Sequence, residues 1–133
     1  GAERVRLERA YDPRDPVIMA DAGRLEQAVL NLLTNAVEAM PGGGTLRVAT
    51  EARDGEVALS VQDTGVGISA ENLNRILKPF FSTKPGGTGL GLPLVARVVA
   101  AHGGQLDVES EPGRGTVFHV RLPSRPPGTE QLP

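Results

Sequence analysis

From Asp21 onward, apolar residues recur at Leu25, Ala28, Val29, Leu32, Leu33, Ala36, Val37 and Met40. That three-and-four spacing is one face of an amphipathic helix. Asp21 suits its N-cap, and Pro41 with Gly42, Gly43 and Gly44 ends it. Elsewhere the period is two. "VRLERAY" and "PVIMA" read as short strands near the N-terminus, and "TLRVATEA" and "EVALSVQD" as a hairpin turning at Asp54-Gly55. "GQLDVES" and "GTVFHVRL" read as two more strands, the second placing Thr116, Phe118, Val120 and Leu122 on one face. A short helix is expected from Ala70 to Leu77 behind Ser69. A longer one should start near Leu92-Pro93, with proline tolerated in its first turn, and stop at Gly103-Gly104. The stretch from Lys78 to Gly87 has no period and reads as a loop.

Half-buried strands joined to one-sided helices predict an α/β (α+β) fold in two layers, a mixed sheet packed on one face by about three helices. The 133 residues suffice for one domain, expected over residues 1–122, with "PSRPPGTEQLP" from 123 to 133 as a disordered tail. A net charge of −2 supplies no basic field for nucleic acid or an anionic membrane, so any anion must be bound locally. Without cysteine there is no disulfide framework or thiolate metal site, and no apolar run reaches the roughly 20 residues of a membrane span. A reducing, cytoplasmic setting is expected. Gly1-Ala2 reads as the remnant of a cleaved tag, and the chain as a piece of something longer. Most of the 17 glycines cluster at 42–44, 65–67, 86–91, 103–104 and 113–115, between periodic segments, which marks turns and ligand loops.

Three features point to chemistry. In "EVALSVQD", Val57, Leu59 and Val61 share a face, and strand parity carries Asp63 to that inward side. A carboxylate there loses hydration worth several kcal/mol unless donors meet it. It can cap the amides of Thr64 and Gly65 in an Asx turn, or await a donor-rich ligand beside a wall that Gly65 and Gly67 leave bare. An exocyclic amine on a planar base suits the second reading. On the long helix, Asn31 and Asn35 lie about 40° apart at the edge of the apolar arc. They are either exposed asparagines or neutral oxygen ligands for a magnesium ion whose charge is met by phosphates. In "GGTGLGLPLV", glycines before a helix start free N–H groups to point at phosphate, although a flexible lid has the same composition. The run lacks the Lys-Ser/Thr of a P-loop and does not directly follow a strand, so neither common nucleotide-binding pattern fits.

In that order and with those separations, "NLLTNAVEAM", "DTGVGI", "PFFSTK" and "GGTGLGL" resemble the N box, first glycine box, F box and second glycine box of the ATP-binding catalytic domain of sensor histidine kinases. These belong to the superfamily shared with DNA gyrase B, heat-shock chaperone and MutL-type ATPases. The resemblance implies a Bergerat-type fold that takes ATP and Mg2+. It implies that Asp63 accepts from the adenine amino group, with Gly65, Gly67 and Ile68 shaping that pocket. Asn35 becomes the metal ligand, assisted by Asn31, these two being the implied catalytic residues. Gly87, Thr88, Gly89, Leu90 and Gly91 border the triphosphate, and Phe80-Phe81 hinge a short lid carrying Thr83 and Lys84. The wording of "PFFSTK" looks closest to the nitrogen-regulation or sporulation-type kinases.

Two departures shape the expected activity. Hydrolases of the superfamily carry a glutamate general base four residues before the metal ligand, where this chain has Asn31, so water activation is not expected. The phosphoacceptor histidine of such kinases lies in a separate dimerising hairpin. His102, at a helix end in "HGG", and His119, in a strand, read as structural. The fragment is thus expected to be a monomer that binds ATP and transfers nothing alone. In a homodimeric full-length kinase it would phosphorylate the histidine domain, for relay to a response regulator. A protein serine kinase or anti-sigma regulator on the same scaffold, and a nucleotide-binding module without chemistry, remain alternatives. No contact of this domain with nucleic acid or membrane is expected.

Overall fold

The computed structural model describes residues 4–14, 18–53, 55–76 and 91–124. The elements run β1 (Val5–Ala10), α1 (Ala22–Glu38), β2 (Gly44–Arg53), β3 (Glu56–Asp63), α2 (Ala70–Leu73), α3 (Gly91–Ala101), β4 (Gln105–Glu111) and β5 (Gly115–Pro123). The five strands form one sheet in the order β1-β2-β3-β5-β4. β1 pairs in parallel with β2, and every other pair is antiparallel, so the sheet is mixed as expected.

One face of the sheet carries the core. Leu46, Val48, Val61, Phe118, Val120 and Leu122 are buried there against Ala28, Leu32 and Ala36 of α1 and Val95, Val98 and Val99 of α3. Register explains the match: Val61 lies opposite Phe118 and Leu59 opposite Val120, so the period-two apolar sets of β3 and β5 stack on one side. The residues of β2, β3 and β5 that alternate with this core set, among them Arg47, Glu51, Ser60, His119 and Arg121, line a shallow depression of about 790 Å³ on the open face. Arg121 is bonded there to Asp107, and His119 Nε2 lies 3.4 Å from Glu109 Oε1.

α1 and α3 run antiparallel side by side. Asp21 caps α1, its Oδ1 accepting from the Arg24 N–H at 3.1 Å, and its own N–H donates to His102 Nε2 at 2.9 Å at the far end of α3. His102 Nδ1 lies 2.7 Å from the Val98 carbonyl, which requires the proton on Nδ1 and leaves Nε2 the acceptor. This histidine ties two helix ends together, in keeping with its structural reading.

Several expectations need correction. "PVIMA" forms no strand in its described part: Ile18, Met19 and Ala20 are irregular, with Ile18 against the core and Met19 exposed. The sheet offers these residues no partner, and the segment instead leads into the Asp21 cap. α2 stops at Leu73 rather than Leu77, although Ser69 caps it as expected, accepting from the Asn72 N–H at 3.2 Å. Asn72 and Asn74 favour turns over helix, and the chain continues in a turn to the buried Ile76. Val37, placed in the apolar stripe, is 45% exposed. β5 takes in Pro123, and the Ser124 N–H donates to the Gly55 carbonyl at 3.0 Å.

Candidate functional site

Asp63 ends β3 on the core face and is 3% exposed, opposite Thr116 of β5, which is 5% exposed. These are the buried polar residues among those described. Among the described residues no cation answers the carboxylate. Its Oδ1 accepts from the Gly65 N–H at 2.8 Å, so the Asx turn read as one alternative is present. Burial pushes the carboxyl up from the ordinary aspartate range, against the pull of the Gly65 and Thr116 backbone N–H groups. Among the described residues the Gly65 N–H is the hydrogen-bond donor to this side chain, which leaves part of the acceptor capacity of a carboxylate open.

The loop after Asp63 is pinned on three sides. The Val66 N–H donates to the Ala39 carbonyl at the end of α1 at 3.0 Å, and the Gly113 N–H to the Val66 carbonyl at 2.8 Å. Thr64 Oγ1 accepts from the Thr45 N–H at 3.0 Å, and the Ile68 N–H donates to Ser110 Oγ at 2.7 Å. This closeness gives the glycines a reason different from a bare ligand wall. A Cβ on Gly65 would stand 2.2 Å from the Ala39 carbonyl oxygen, and one on Gly67, at φ 75°, 2.2 Å from that of Glu111. Both are required by backbone packing.

Asn31 and Asn35 are partly buried on α1, at the edge of its apolar face as the spacing predicts. Gln27 Nε2 donates to Asn31 Oδ1 at 2.9 Å, and Asn31 Nδ2 to the Gly91 carbonyl at 3.4 Å. Asn31 therefore ties α1 to the first residue of α3. Residues 31, 35 and 39 share one side of α1, so a track of about 12 Å leads from the start of α3 to the Asp63 loop. A Cβ on Gly91 would meet nothing within 4 Å among the described residues, so packing does not demand this last glycine of the run. Phe80, Phe81, Thr83, Lys84, Gly87, Thr88, Gly89 and Leu90 lie outside the described residues.

Residues 20–126 match the family described as "Histidine kinase-, DNA gyrase B-, and HSP90-like ATPase". The chain belongs to this family. Sporulation kinase C of Bacillus subtilis (strain 168) is 45% identical to it over 118 residues, covering 88% of this chain and 28% of that protein. The sensor histidine kinase ZraS of Klebsiella oxytoca is 50% identical over 107 residues, covering 80% of this chain and 23% of that protein. The chain thus spans well under half the length of these relatives. Among solved structures, the mycobacterial sensor histidine kinase MprB superposes with a TM-score of 0.80 at 36% identity, over 92% of this chain and 83% of that one. Full-length ShkA in complex with AMPPNP gives a TM-score of 0.80 at 38% identity, over 90% of this chain and 26% of that one. In sequence and fold the chain is the ATP-binding catalytic domain of a sensor histidine kinase, with the Bergerat fold expected from its motifs.

Reading single motifs did not reveal Thr116, Ser110 or Gln27. Parity put Thr116 on the core face, and a polar residue in an otherwise apolar stripe opposite Asp63 was the available signal. Among the described residues no group of three or more His, Cys, Asp or Glu could hold a metal ion. What α1 offers instead is neutral amide, a donor set that fits magnesium carried largely by phosphate oxygens.

Proposed function

We propose that this domain holds ATP with magnesium along the Asp63–Asn35–Gly91 track and presents the γ-phosphate to a histidine on an attached phosphoacceptor domain, for relay to a response regulator. The observation that carries this is the buried Asp63, which meets no cation among the described residues, at one end of a track that leads along α1 to the start of α3. Asp63 accepts from the adenine amino group, and the pinned loop fixes where that acceptor sits. Magnesium, when bound with ATP, would supply charge neutralisation at the phosphates. Asn35 is the residue to ligate it. Asn31 assists by another route, since its oxygen is already engaged by Gln27: it holds the start of α3, whose dipole and N–H groups favour phosphate. Phe81, Thr83, Lys84, Gly87, Thr88, Gly89 and Leu90 belong, on this reading, to the lid and the phosphate border.

The domain's contribution is then positioning and charge neutralisation, with Asn31 standing where a glutamate general base would be needed to activate water. Such a domain works on the cytoplasmic side, within a homodimeric full-length kinase. Calorimetric titration of this chain with ATP, GTP and ADP, with and without magnesium, tests the reading. Adenine preference and a magnesium requirement are expected, and tight binding of GTP would overturn the role of Asp63.

A further inference from the structure

The hydrogen bonds around Asp63 close on one residue, Ser110, on the core face of β4. A serine hydroxyl has one proton to give and two lone pairs to receive. Three groups surround Ser110 Oγ: the Ile68 N–H at 2.7 Å, the Gly115 carbonyl oxygen at 2.9 Å and Thr116 Oγ1 at 2.8 Å. A carbonyl only accepts, so the Ser110 proton goes to Gly115. An amide N–H only donates, so Ile68 occupies one lone pair. The bond to Thr116 must then run from Thr116 to Ser110. The single hydroxyl proton of Thr116 is therefore committed away from Asp63, its cross-strand neighbour on the same face, with a Cβ about 5 Å away.

We propose that Ser110 is a positioning residue for purine selectivity: by taking the Thr116 proton, it leaves the Asp63 carboxylate and the Thr116 oxygen as acceptors facing the base. Two acceptors side by side welcome an exocyclic amine and repel a keto oxygen at the same place. The inference rests on Asp63 being the adenine acceptor. Among the described residues the side-chain hydrogen bond to Asp63 comes from the Gly65 N–H and not from the Thr116 hydroxyl, as expected if that hydroxyl is turned elsewhere.

The test compares ATP with purine riboside triphosphate, which lacks the amine, in titrations of this chain with magnesium present. In Ser110→Ala the Thr116 hydroxyl is freed to donate to Asp63 and competes with the ligand. ATP affinity should fall on the order of five-fold, one hydrogen bond's worth, and that of the amine-free nucleotide much less. In a Thr116→Val background, Ser110→Ala should change that ratio no further. The Asp63 carboxyl, followed by NMR, should titrate lower in Ser110→Ala, because a new donor favours its ionised form. The ratio of the two affinities does not depend on the folded fraction, so partial unfolding of the variant cannot imitate the effect. Equal losses for both nucleotides, or the same loss with valine at 116, would overturn the assignment and leave Ser110 as a brace for the turn. If Asp63→Ala binds ATP as tightly as the parent, the reading of the site falls along with it. If Asp63→Ala loses ATP while Ser110→Ala shows no selectivity change, only the role of Ser110 falls.

Discussion

Asp12 and Asp63 both receive backbone amides, and their surroundings drive the two carboxylates in opposite directions. Asp12, just beyond β1, accepts from the Ala52 N–H at 2.8 Å and is bonded to the Arg14 side chain. The Arg14 guanidinium, with the Ala52 and Arg14 amides, holds its carboxyl far below the ordinary aspartate range. Asp63 receives the Gly65 amide but no cation among the described residues, and burial pushes its carboxyl up. Asp12 fastens the chain after β1 to β2 and has its charge answered within the fold. Asp63 is left with a charge that no described cation answers. A backbone-bonded aspartate thus marks a site only when its remaining acceptor capacity is unmet and its neighbours keep water away.

The sharpest break between the two is substitution by alanine. Asp63→Ala should lower ATP affinity by on the order of 100-fold, since a charged acceptor in a dry pocket is lost, while Asp12→Ala leaves affinity unchanged. Calorimetry reads both, and similar losses in the two variants would erase the distinction. Asn35→Ala should weaken ATP by about ten-fold or more when magnesium is present and little when it is chelated. In the longer protein, autophosphorylation should fail with it, and unchanged phosphate transfer would remove Asn35 from the metal. Gly65→Ala should destabilise the domain by roughly 1–3 kcal/mol, because its Cβ meets the Ala39 backbone and not an empty wall. Denaturant unfolding without nucleotide measures this, and an undiminished midpoint would return Gly65 to the ligand.

The smallest effects are in pH dependence, where the two carboxylates should move stability oppositely. The raised Asp63 carboxyl means that stability present at acid pH is lost as pH rises through its folded value. Asp63→Asn removes that loss, so its melting temperature at pH 7 should equal or exceed the parent's, with the advantage disappearing on acidification. For Asp12, held low, stability is present above the ordinary aspartate range and lost as pH falls through the folded value. Asp12→Asn should therefore melt lower than the parent at pH 7, with the gap closing in acid. Melting curves at several pH values check both signs.

Much of the fold was legible because periodicity encodes burial locally. The three-and-four spacing behind Asp21 located α1, and the period of two located β2, β3, β4 and β5 with their inward faces. The same parity carries Asp63 into the core. "PVIMA" misled because apolar spacing shows that a segment wants burial and not whether a sheet edge is there to receive it. Val37 misled in the same way, as the width of the buried arc depends on what packs against it.

By itself the sequence determined which stretches form helix and strand, which carboxylate faces inward, and, through four ordered motifs, to which family the chain belongs. Tertiary structure alone decided why Gly65 and Gly67 are glycines, that Asn31 reaches Gly91, and that the proton of Thr116 belongs to Ser110. Helix and strand periods are properties of neighbouring residues along the chain. The direction of a hydroxyl proton is set by acceptors such as Ser110, which bonds Ile68 from 42 positions away, and only the assembled sheet brings them together.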